Sequence, residues 1–64
     1  MFIYLHADPA ERVLLTNRLK DFKADHGGEV TYLGAGTLRL KVTTRKQIDA
    51  AIDAFSRYTT QITG

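Results

Sequence analysis

Leu38, Leu40 and Val42 alternate with Thr37, Arg39, Lys41 and Thr43 without a break. Period two is the repeat of a strand with one buried face and one wet face. That run constrains the chain more than any other feature. Its three aliphatic side chains need a second layer on one side of a sheet, and its two cations must point the other way.

The run is preceded by Gly34-Ala35-Gly36. A Gly-x-Gly invites a nucleotide reading, but phosphate-cradling loops end at a helix N-terminus, where free N–H groups and the helix dipole face the anion. Here Gly36 enters the alternating strand directly. The third glycine of a dinucleotide fingerprint would fall at Arg39, and the Lys-Ser/Thr pair of a P-loop is missing. The glycines therefore read as a hairpin turn, where positive φ is needed. Residues 29–33 and 37–43 are its two arms.

Residues 1–7, rich in Phe, Ile and Tyr, read as another strand. The next four, Asp8-Pro9-Ala10-Glu11, carry a helix-start signature: an N-cap aspartate, proline at the first helical position and a carboxylate three after the cap. The helix is expected to reach about His26, with Gly27-Gly28 supplying its C-terminal cap. Leu15, Leu19 and Phe22 form its apolar stripe, flanked by Leu14. Val13 falls nearly opposite, beside Ala10, Asn17 and Ala24, and reads as a single exposed apolar residue. Thr44 and Gln47 make a capping box for a second helix. Ile48, Ala51, Ile52, Phe55, Tyr58 and Ile62 then recur in steps of three and four, which favours a helix from about 45 to 61. The rival is a short final strand in the β-branched run 59–63.

The 64 residues make one α+β domain, 1–64. The expected architecture is a two-layer β-α-β-β-α arrangement: a ferredoxin-like split β-α-β of three strands, with the third between the first two and both helices on one face. Ile3 and Leu5 would face the helices. Phe2, Tyr4 and His6 would then share the uncovered face with Arg39 and Lys41. Either Thr31 and Leu33 or Val30 and Tyr32 would lie further across it. With three strands, the first would also be an open edge.

Catalysis has little support. His6, Asp8, Glu11, Asp25, His26 and Asp49 are the available groups, and a site needs several of them to converge. His6 and His26 sit at opposite ends of the first helix, roughly 25 Å apart at 1.5 Å per residue. Asp8 reads as a cap and His26 as a partner of the helix dipole. There is no cysteine, so thiolate zinc sites, cysteine nucleophiles and disulfides are excluded. The expectation is a non-enzyme with no metal and no cofactor. The first eight residues lack a basic leader and an 18-residue apolar run, so no signal peptide, no membrane association and a cytoplasmic location are expected.

Binding is what remains. A domain this size buries only about 60% of its unfolded surface and gains from added burial. The residues expected to bind are Phe2, Tyr4, His6, Arg39 and Lys41, with the backbone edge of strand one. The rings supply apolar area, the cations pair with carboxylates or phosphates, and His6 adds a pH-responsive group. The favoured function is protein–protein binding, as a regulator or inhibitor of a larger assembly or as a homodimer. The alternative is single-stranded nucleic acid on the aromatic and basic face. Against that stand nine Lys and Arg balanced by seven Asp and Glu, and a strand 37–43 with no aromatic residue.

Overall fold

A computed structural model describes all 64 residues. The chain forms β1 (Phe2–His6), a 3-10 turn (Pro9–Glu11), α1 (Arg12–His26), β2 (Glu29–Gly34), β3 (Thr37–Lys41), α2 (Arg45–Phe55) and β4 (Thr59–Thr63). The four strands make one sheet in the order β2-β3-β1-β4, every neighbouring pair antiparallel. The domain is α+β, with four strands and two helices.

The core follows from the alternation. Ile3, Leu5, Leu38, Leu40 and Val42 form one cluster with Leu15, Leu19 and Phe22 of α1 and Ala51 and Phe55 of α2. Both helices therefore sit on the same side of the sheet. Ile3 lies opposite Leu40 and Leu5 opposite Leu38, so the two central strands interlock their apolar residues. Phe22 meets Phe55 edge-on, with ring centroids 5.5 Å apart, and ties the two helices together.

The hairpin forms where the glycines place it. Gly34, Ala35 and Gly36 all have positive φ, 87°, 51° and 79°. Gly36 has a second reason to be glycine. A Cβ there would lie 2.5 Å from the Ala7 carbonyl oxygen and 2.6 Å from Arg12 Nε. The hairpin is pressed against the β1–α1 connection, where Ala7 N–H donates to Gly36 O at 3.0 Å.

The three-stranded expectation is wrong by one strand. Residues 59–63 are neither the end of a helix nor loose. They form β4 along the outer side of β1, with Phe2 opposite Thr63, Ile3 opposite Ile62 and Tyr4 opposite Gln61. α2 stops at Phe55, and Thr59 Oγ1 donates to the Phe55 carbonyl at 2.8 Å, closing that end. Thr59, Thr60, Ile62 and Thr63 are β-branched, which disfavours further helix and suits a strand. Strand one is consequently central, and its expected free edge does not exist.

The start of α1 also differs from expectation. Asp8 makes no side-chain cap. Pro9–Glu11 wind as a 3-10 turn, with Glu11 N–H donating to the Asp8 backbone carbonyl at 2.8 Å. The Glu11 carboxylate instead accepts from Arg57, just after α2. The second helix keeps its full capping box: Gln47 N–H donates to Thr44 Oγ1 at 3.1 Å, and Thr44 N–H to Gln47 Oε1 at 3.2 Å. Gln47 Nε2 donates in turn to the His26 carbonyl at 2.7 Å, so one side chain joins the end of α1 to the start of α2.

A candidate binding face on the uncovered side of the sheet

Residues directly opposite in antiparallel strands point to the same side. The register therefore sets out the uncovered face in rows. One row runs Glu29, Lys41, Phe2, Thr63; the next runs Thr31, Arg39, Tyr4, Gln61; the third holds Thr37 and His6. All five residues singled out from the sequence lie on this face. Thr31, not Val30 or Tyr32, joins them from β2. Val30 and Tyr32 lie opposite Leu40 and Leu38, on the helix side.

The face is partly organised. Arg39 sits over the Phe2 ring, its guanidinium carbon 4.8 Å from the ring centre. Such a contact contributes about 0.5–1 kcal/mol at an exposed site. Phe2, Tyr4 and Arg39 are half-buried, while His6 and Lys41 are exposed. His6 Nδ1 lies 3.3 Å from Thr37 Oγ1 across the strand pair. Lys41 faces Phe2 on one side and Glu29 on the other. Glu29, Gln61 and Thr63 were not picked out from the sequence. The β-branched run 59–63 held the signal for the last two once those residues are read as a strand.

Chemically, the face offers two rings, two cations and one carboxylate, with Thr and Gln side chains around them. His6 is at the C-terminal end of β1, whereas His26 closes α1 and packs on Phe22 with tilted rings, 4.8 Å between centroids. No three His, Asp or Glu side chains come close enough to hold a metal ion. No helix is long and apolar enough to cross a membrane.

No protein-family model, no curated protein and no solved structure matches this chain.

Proposed function

We propose that the chain is a non-catalytic binding module, built as a ferredoxin-like domain, that holds a partner protein on its uncovered sheet face. The observation that carries this reading is the grouping of Phe2 and Tyr4 with Arg39 and Lys41 on two central strands with no layer over them. Rings beside an arginine are what a protein interface concentrates at its centre, with lysine more often at the rim.

Two details favour protein over nucleic acid. The Phe2 ring already carries the Arg39 guanidinium, which takes the place a stacked base would need. Lys41 has Glu29 opposite it, which weakens its pull on phosphate. The partner is a different protein presenting carboxylates, because two copies meeting face to face would bring Arg39 and Lys41 towards their own equivalents. Size points the same way. Four strands spaced about 4.8 Å apart, and five residues at about 3.3 Å each, make a face roughly 15–20 Å on a side. A stable interface buries about 800 Å² per partner, so the partner must also reach over the rim. Regulation or inhibition of a larger assembly fits such a module.

Single-stranded nucleic acid is the second reading, favoured by one fact: the two rings lie on a central strand of a four-stranded sheet, as in RNA-binding platforms. Cross-linking capture separates the two. Tyr4→Asp, checked for fold by circular dichroism, is expected to lose the captured protein. Arg39→Ala with Lys41→Ala is expected to weaken capture without creating any oligonucleotide-dependent difference. Capture unchanged by Tyr4→Asp would defeat the protein reading. Low-salt binding of a thymidine oligonucleotide that vanishes in the double variant would establish the second.

A further inference from the structure

The sheet has two edges, and one of them has a built groove beside it. β2 pairs only with β3, so alternate N–H and C=O groups along its outer side have no strand to meet. Between that edge and α1 runs a cleft lined by Thr16, Leu19, Lys20, Lys23, Val30 and Tyr32. Thr16 and Tyr32 continue it towards Arg12 and the hairpin glycines. Leu19 is buried and Val30 packs on the core, so the floor is apolar. Tyr32 is 66% exposed, a large ring left standing at the lip.

Charge decides what would lie there. No Asp or Glu lines either stretch of the cleft. The two ion pairs of the molecule are Arg45–Asp49 and Arg57–Glu11, so Lys20 and Lys23 have no carboxylate partner. The carboxylates of α1 lie on its other flank, where Asp21 and Asp25 face α2 with Arg18. Helical spacing produces this division: residues 16, 20 and 23 share one side, and 18, 21 and 25 share another. Arg12 is held at the far end by donating to the Ala7 carbonyl at 3.4 Å.

We propose that this cleft accepts an acidic, extended peptide segment, which adds a fifth strand to the β2 edge. Main-chain hydrogen bonds to β2 would supply affinity independent of sequence. Every second side chain of the added strand would turn towards α1, putting carboxylates at Lys20 and Lys23 and an apolar residue against Val30 and Tyr32. The site is separate from the uncovered sheet face, so it stands or falls independently of the function proposed above.

The test uses a capped Glu-Thr-Glu-Thr-Val-Thr-Glu-Thr peptide, titrated into the isotope-labelled chain and followed by amide NMR. Shifts are expected at residues 29–34 and along the 16–23 flank of α1. Lys20→Glu with Lys23→Glu, both exposed positions, should weaken binding at least tenfold while the fold is retained. Raising salt from 50 to 300 mM should weaken it severalfold. N-methylation of alternate peptide residues should abolish binding in one of its two frames. Tyr4→Asp should leave it unchanged. Unshifted β2 amides at millimolar peptide would overturn the proposal. So would equal binding by a peptide with Lys in place of Glu, or indifference to methylation in both frames. A thymidine oligonucleotide that shifts the same amides as strongly would mark a phosphate site instead. Shifts that follow protein concentration alone would mark pairing between two copies, and either result also overturns the assignment.

Discussion

The two sides of the sheet are made from the same strands and differ in nearly everything else. On the helix side, Ile3, Leu5, Leu40 and Val42 are fully buried and no charged side chain is buried beside them. On the other side their immediate neighbours Phe2, Tyr4, Arg39 and Lys41 keep contact with solvent. One side holds the domain together, and the other leaves two rings and two cations without a covering layer. Under the function proposed above, stability and binding fall to alternate residues of one strand, and substitutions one position apart should have effects of different kinds.

The largest effect is expected at Leu40. Leu40→Ala removes a side chain with no solvent exposure and should cost about 2–5 kcal/mol in denaturant unfolding. A domain this small has a total of the order of 5 kcal/mol, so much of the population would be unfolded. A loss below about 1 kcal/mol would mean that the helix side is not where stability resides. Next comes the hairpin that sets the register of both sides. Gly36→Ala combines left-handed backbone with a clash against Ala7 and Arg12, and should cost about 2–4 kcal/mol. Gly34→Ala shares the backbone strain but meets open space, and should cost about 1–2 kcal/mol. Equal losses at the two glycines would show that the contact between hairpin and β1–α1 connection is unimportant.

A smaller effect probes the one imperfection on the covered side. The Tyr58 hydroxyl is buried without a hydrogen-bond partner. Tyr58→Phe should be neutral or raise stability by up to about 1 kcal/mol. A clear loss would mean that the hydroxyl is satisfied. The smallest effect belongs to the uncovered side. Arg39→Ala should change stability by no more than about 1 kcal/mol, because only its contact with Phe2 is lost. A loss as large as that of Leu40→Ala would erase the distinction between the sides.

Much of this division was legible in the chain itself. The alternation in 37–43 defined which residues face the helices, and the placement of Phe2, Tyr4 and His6 followed from pairing Ile3 and Leu5 with it. The Thr44–Gln47 box was legible because both of its partners lie within four residues. What the local pattern did not carry was non-local. Tyr58 and Ile62 continue the three-and-four spacing of α2, yet neither belongs to it. Tyr58 reaches the core from the turn after the helix, and Ile62 faces the helix side from a strand, opposite Ile3. Two different backbone paths produced a spacing that mimics one helix. The Asp8–Glu11 signature is only partly realised: Glu11 N–H turns to the Asp8 backbone carbonyl, and Arg57 takes the glutamate carboxylate from 46 positions away. The edge proposed for strand one went with the fourth strand, whereas the face survived because adding a strand to an edge does not change which way β1 side chains point.

The central claim is that partners meet the uncovered side. Photo-cross-linking tests it most directly, with a benzophenone amino acid placed at Tyr4 in one variant and at Asp53, exposed on the outer surface of α2, in another. Adducts to a partner protein from position 4 and none from position 53 are predicted. Adducts from position 53 with none from position 4 would contradict the account.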